Sequence, residues 1–442
     1  MAENQRDAGM VRSVGTWGLA ANIFNIVVGA GIFAVPASLA ESLGAYAPLA
    51  LLVCAIAVGS VAVCFAEGGS RIPTSGGPYG YIEAAFGPFA GYVAGTLFWF
   101  ANALACAGVA AALADVAASL VSARWMPATH AAVIVATIGS VAILNVGGVS
   151  RGMRLVDAAT SAKLAPLVIF VLVGAGAIRH ANFAATVPHG SAGVGRALLL
   201  GLFMLTGMEG PLAASGEVSK PARTIPRAVA MAMASATVLY IAIQVIAYGI
   251  LGSALAVSKA PLAEAMARVS PALRLLMLAG MAISMFGYVS GDILGSPRIL
   301  FAFGRDGLLP KFLGRLHPRS HAPHLAIICY SAIVGALALT GTFAELAVLS
   351  VLGVSVLYIG ACAAAWRLAR RGVALAGAPT NFRWLGAEAV VGIVSMLAMI
   401  ALASRAEILG LAAMIAASAL IYTVQTRALA ARGAREEVST RP

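Results

Sequence analysis

Val28-Gly29-Ala30-Gly31-Ile32-Phe33, followed by Pro36, interrupts an apolar stretch running from Gly15 to Ala40. Leu205-Thr206-Gly207-Met208-Glu209-Gly210-Pro211 interrupts a second one between residues 195 and 217. Closely spaced glycines weaken a helix interior and proline removes a backbone donor, so each stretch reads as a helix broken midway. In hydrocarbon, freed N–H and C=O groups are tolerated only where they line a cavity or meet a ligand. Two such breaks at corresponding positions of two halves point to a binding site near the bilayer midplane. Close helix packing at small residues would account for either break alone. It does not account for the pair.

The surroundings of the breaks place the chain in a membrane. Of 442 residues, 61% are hydrophobic and only 10% charged, with a mean hydropathy of +0.93. An ordinary soluble protein carries about 25% charged residues, and a soluble fold of this length could not solvate itself with so few. At roughly 20 residues per spanning helix there is room for about a dozen. Apolar stretches fall near 15–40, 46–68, 87–121, 128–147, 155–178, 195–217, 227–252, 272–302, 323–341, 344–366, 386–403 and 406–426, which predicts twelve spans. The polar segment 253–271, with Lys259, Pro261, Glu264 and Arg268, reads as a short surface helix between spans seven and eight.

A net charge of +12 would suggest a nucleic-acid partner in a soluble protein. Here its distribution gives another answer. With alternate loops assigned to opposite sides, 21 of the 29 Lys and Arg lie on the side of the two termini (Arg6, Arg12, Arg71, Arg151, Arg298, Arg367, Arg370 and Arg371 among them). Seven lie opposite, from Arg124 to Arg405, and Lys163 falls inside a span. The positive-inside rule therefore puts both termini in the cytoplasm. No nucleic acid is expected as a partner; the lipid bilayer is.

The cysteines Cys54, Cys64, Cys106, Cys329 and Cys362 lie in apolar stretches without metal-ligand spacing and read as small apolar fillers. The six histidines, His130, His180, His189, His317, His321 and His324, fall in loops, with no HExxH. Neither a metal nor a cofactor is expected, and a membrane enzyme lacks its constellation.

The halves correspond. Residues 15–180 hold five spans led by the first break, and 195–370 hold five led by the second. Five is odd, so the second half enters the membrane in the opposite direction. Residues 384–426 add two helices, between a segment 1–14 and a charged, unstructured tail 427–442. The chain resembles the amino acid–polyamine–organocation family of permeases nearly end to end. Gly29-Ala30-Gly31-Ile32-Phe33 resembles that family's GxGIF break. Pro73-Thr74-Ser75-Gly76-Gly77-Pro78-Tyr79-Gly80-Tyr81 resembles its loop and span-three entry, Glu217 through Ala228 its segment after span six, and Arg298 through Pro310 its segment after span eight. The resemblance implies an all-α integral membrane protein of the leucine-transporter type. Its twelve transmembrane helices form a five-plus-five inverted repeat, with helices 1 and 6 broken and two helices added at the C-terminus. It implies secondary transport of L-amino acids across a plasma membrane by alternating access, driven by protons or by exchange. Minimal loops and an Ala- and Gly-rich composition suit a bacterial inner membrane.

By the same resemblance a substrate carboxylate meets the free N–H groups of Gly29, Ala30 and Gly31, at a helix N-terminus where an anion is favoured. The ammonium meets carbonyls of Val27, Phe203 and Thr206, with Gly207 in the break. Phe203 is either the aromatic gate or plain packing. Charges inside spans are costly and functional by default. Lys163 stands where sodium-coupled relatives hold an ion and is expected to serve coupling. Glu209 is expected to accept hydrogen bonds from unwound backbone, as a coupling and gating element or as a structural one. Asp292 is either counter-ion to a cationic substrate, such as a basic amino acid or a polyamine, or partner of Lys163. Asn102 reaches the substrate side chain or bonds between helices. Glu67, Glu83, Asp115 and Asp157 sit near span ends and are assigned no transport role.

Overall fold

A computed structural model describes residues 14–73, 77–147, 149–184, 191–212, 215, 218–305, 307–375 and 378–439. Residues 1–13 with Arg6 and Arg12, Thr74, Ser75, Gly76, His189, Glu217, Asp306 and Arg441 lie outside that set, as does the side chain of Asp157.

The chain is helical, and among the described residues no strand occurs beyond one isolated bridge between Val14 and Val218. Seven helices among the described residues are long and apolar enough to cross a membrane, and five shorter apolar helices accompany them. The first interrupted stretch is α1 (Thr16–Val27) followed by α2 (Gly31–Leu43). After α3 (Ala47–Arg71) come α4 (Pro78–Phe86), α5 (Pro88–Ala118), α6 (Met126–Val146) and α7 (Val149–Gly174). The second interrupted stretch is α8 (Ser191–Leu205) followed by α9 (Glu209–Leu212). Then follow α10 (Pro221–Leu251), α11 (Pro261–Ala267), α12 (Pro271–Gly295) and α13 (Pro297–Arg305). The chain ends with α14 (His324–Thr340), α15 (Phe343–Arg370), α16 (Leu385–Ala401) and α17 (Arg405–Ser439).

Local chemistry sets these limits. Proline opens α4, α5, α10, α11, α12 and α13, where its missing N–H costs nothing. The Ser270 side chain caps α12 through the Ala272 amide, and Thr342 with Glu345 forms a capping box on α15. Burial then sorts the helices. The most apolar window of α5 is 83% buried and that of α15 72%, against 11% for α17. The first two are therefore interior walls and the last a peripheral one. Outward residues such as Leu52, Ile56, Leu172, Leu275 and Leu409 are large, apolar and exposed, a surface suited to lipid rather than water.

Close crossings fix the walls. A Cβ on Gly280 of α12 would lie 2.6 Å from Pro166 Cγ of α7. Only glycine lets these helices approach so closely, and the crossing sits one turn from Lys163.

Two expectations are corrected. The segment 253–271 does form a helix, α11, but Leu262, Ala263, Ala265 and Met266 are buried against the bundle. Its charges mark only the outer side of an amphipathic turn, so it is no surface helix. The tail after Arg427, expected to be unstructured, continues α17 to Ser439. Its Ala, Arg and Glu are among the strongest helix formers.

A buried ion pair also forms at a span end, where Glu67 is assigned no transport role. Glu67 is fully buried and Arg71 nearly so, with Arg71 Nε 2.7 Å from Glu67 Oε1. The guanidinium also donates to Val373 O and Asn381 Oδ1, while Phe382 N donates to Glu67 Oε2. The pair anchors the α15–α16 connection to the end of α3.

Candidate functional site

The first break begins where α1 ends at Val27. The Val28 amide still reaches Phe24 O at 2.8 Å, and the Gly29 amide turns back to Val27 O at 2.7 Å. The helix restarts at Gly31, so among the described residues the amides of Ala30 and Gly31 have no backbone partner. They are the open N-terminus of a 13-residue helix, where an anion is favoured.

The carbonyls freed at the end of α1 are taken from neighbouring helices. Lys163 Nζ of α7 donates to Asn25 O at 2.5 Å. Tyr240 of α10 donates to Val27 O at 2.5 Å, and Ser284 of α12 to Gly29 O at 3.5 Å. A lysine at a helix C-terminus also meets the negative end of its dipole. Val27 O thus holds two donors already, which corrects its expected role as an acceptor for the substrate ammonium. The Ile26 carbonyl, like that of Val28, has no donor among the described residues. It points into the gap between the two breaks: Cβ atoms on Gly29 and Gly207 would lie 3.2 and 3.6 Å from it.

The second break follows Leu205. Gly207 adopts φ +118°, a conformation essentially reserved for glycine. Its amide donates to Glu209 Oε2 at 3.1 Å, and Tyr358 of α15 donates to the same oxygen at 2.7 Å. Glu209, 3% exposed, therefore closes the unwound backbone on itself. Thr206 Oγ1 returns to Phe203 O at 2.9 Å, while Thr206 O has no donor among the described residues.

Both breaks face one cavity of about 460 Å³, within the range of small-molecule sites. Val27, Gly29, Ala30, Gly31, Asn102, Lys163, Phe203, Thr206, Gly207, Glu209 and Asp292 all line it. It opens beside Asn22 and Gly295, both exposed. On the α2 side it is closed by Phe203 and Met204, which pack over Gly31. Phe203 stacks edge-on against Phe343, ring centres 5.7 Å apart.

Asp292 is placed by α12 with surface on the cavity. Its carboxylate accepts from Tyr330 of α14 and from Ser296 Oγ, the latter at 2.8 Å. Tyr330 in turn packs edge-on against Trp99, centres 5.7 Å apart. Lys163 is committed to Asn25 O, and among the described residues it forms no ion pair with Asp292. Among the described residues the carboxylate is thus held by neutral groups, the two hydroxyls and the Cys106 thiol.

Sequence reasoning missed the tyrosines. Tyr240, Tyr288, Tyr330 and Tyr358 support or line the site from four separate helices. Their only signal was a hydroxyl within an apolar stretch, which does not distinguish a site from an interface.

Comparison with known proteins agrees with this architecture. A family model described as "Amino acid permease" matches residues 14–426. An uncharacterized transporter of Mycobacterium tuberculosis is 33% identical over 347 residues, 77% of each chain. A branched-chain amino acid permease of Lactococcus lactis is 28% identical over 322 residues, 66% of this chain and 68% of that one. A methylthioribose transporter of Bacillus subtilis is 25% identical over 339 residues, 73% and 74% of the two chains. With its set of long apolar helices, the protein is a multi-pass membrane protein. The chain belongs to the amino acid permease family, within the amino acid–polyamine–organocation superfamily.

Proposed function

We propose that this permease carries L-amino acids by alternating access, as a proton-coupled symporter or an exchanger, in a bacterial inner membrane. The proposal includes twelve spans, an inverted repeat over 15–180 and 195–370, and two added helices. It also places both termini in the cytoplasm, so that the cavity, open beside Asn22, faces inward. One observation carries the reading: among the described residues, unpartnered donors at the first break and unpartnered acceptors at both breaks face a single cavity. The Ala30 and Gly31 amides suit the carboxylate, and the Ile26 and Thr206 carbonyls suit the ammonium. Lys163 and Glu209 are the candidates for coupling and gating.

Asp292 supports a second reading of the substrate. A carboxylate facing an intramembrane cavity without a cationic partner calls for a cation or a proton, so a basic amino acid or polyamine would complete it. The named relatives include a branched-chain amino acid permease, which favours apolar side chains instead. Uptake of labelled leucine and of labelled lysine into proteoliposomes, with a pH gradient and with counter-substrate, tests both. Uptake of leucine that lysine does not inhibit selects the apolar reading. Absence of uptake and exchange for every L-amino acid tried rejects the proposal.

A further inference from the structure

A second recess lies away from the transport cavity, at the end of the bundle marked by Arg71. Phe86, Ala363, Trp366, Arg367, Arg370 and Arg371 line a wide-mouthed recess of about 480 Å³ there. Ala363, Trp366, Arg367 and Arg370 are spaced three and four apart on α15, so they share one face of its last two turns. The Arg367 guanidinium sits 4.9 Å from the centre of the Phe86 ring, and that of Arg370 6.0 Å from the Trp366 ring. Stacking on a ring holds a guanidinium in place while leaving its N–H fork free. No acidic side chain lines the recess, and among the described residues none of its arginines forms an ion pair. Phe86 and Trp366 are each about two-fifths exposed, at 41% and 39%. Trp366 stands near the end of membrane-length α15, where an amphipathic ring belongs at headgroup level, and Phe86 ends the short α4 just before membrane-length α5.

We propose that this recess binds the phosphate of an anionic phospholipid, with its acyl chains lying along the apolar outer surface of the bundle. Topology alone asks only that arginines lie on this side. It does not ask that three converge on one recess or that two be stacked on rings. Lys311, Arg315 and Arg319 obey the same rule in the connection between α13 and α14 without lining this recess. They provide the control. A lipid is the occupant because the recess pairs positive charge with exposed apolar rings, and a soluble anion has use only for the first.

The test is native mass spectrometry of the full-length protein with added phosphatidylglycerol, compared with phosphatidylcholine. A variant R367Q/R370Q/R371Q is set against K311Q/R315Q/R319Q. A basic side chain near an anionic surface contributes about fivefold in affinity, so the recess variant should bind phosphatidylglycerol about a hundredfold more weakly. The loop variant should keep most of its binding. Equal losses in the two variants would overturn the proposal in favour of diffuse surface charge. Displacement of the lipid by equimolar inorganic phosphate would overturn it in favour of a soluble anion. Should the triple variant not remain monodisperse, Arg370→Gln replaces it, with about a fivefold loss expected and an undiminished affinity refuting the site. This binding is read without substrate, so its failure is separable from failure of the transport reading.

Discussion

Replacing Gly207 with alanine tests the claim that the second break is a built conformation and not a local loosening. The residue sits at φ +118°. A Cβ there would lie 3.1 Å from Ile26 Cγ2 and 3.6 Å from the carbonyl carbon and oxygen of Ile26. Forcing a non-glycine residue into that region costs about 1–3 kcal/mol. The methyl contact adds little, because Ile26 Cγ2 belongs to a side chain that can yield by a few tenths of an ångström. Relief of the strain requires rotating the Gly207 peptide, which would withdraw its amide from Glu209 Oε2 and disturb the Ile26 carbonyl beside it. The expected result is a lower melting temperature and substrate binding weakened by roughly 5- to 150-fold. Gly210 supplies the matched control. It has no positive φ, and a Cβ there would meet only Ile26 Cδ1 at 3.8 Å, so Gly210→Ala should bind like the unmodified protein. Binding of labelled substrate to purified protein, with thermal unfolding of the same samples, measures both. If the two substitutions behave alike, the strain at Gly207 is not what shapes the break.

Asp292→Asn keeps one acceptor oxygen, turns the other position into an NH2 donor that a neighbouring hydroxyl can accept, and removes the charge, so inhibition of uptake by cationic amino acids should fall at least tenfold while leucine is unaffected; equal effects on both would discard the counter-ion role. Lys163→Met removes the donor to Asn25 O, and accumulation driven by a pH gradient should disappear while equilibrium binding survives. Persistent pH-driven accumulation would rule out coupling through Lys163. Arg71→Ala leaves Glu67 buried without its partner, a loss of about 3–5 kcal/mol for a buried pair; a melting temperature unchanged from that of the intact protein would show that the pair is not structural.

The breaks were legible because glycine and proline are out of place in an apolar helix, and the structure interrupts the helices at Val28–Ala30 and Thr206–Met208. Lys163, Glu209 and Asp292 were legible for the same reason, since charge in hydrocarbon announces itself. What each charge touches was not. Asp292 meets Tyr330 across 38 residues, and Glu209 meets Tyr358 across 149; no pattern in one chain encodes such pairings. The role of Val27 failed because a freed carbonyl was assumed to be vacant, and Tyr240 could not be foreseen to fill it. Glu67 and Arg71 showed helical spacing but not burial. The peptide that covers them lies some 300 residues downstream.

The isolated bridge near the N-terminus has a consequence for timing. The Val14 carbonyl, just before α1, accepts both the amide and the hydroxyl of Ser219, at 2.9 and 3.0 Å, just before α10. The lead-in to one broken helix is thereby clipped to the segment that follows the other. Two neutral hydrogen bonds at the solvent edge amount to about 1–3 kcal/mol, enough to bias a hinge and too little to lock it. Such a clasp would make the two halves start together, and thermal motion could release it at every turnover.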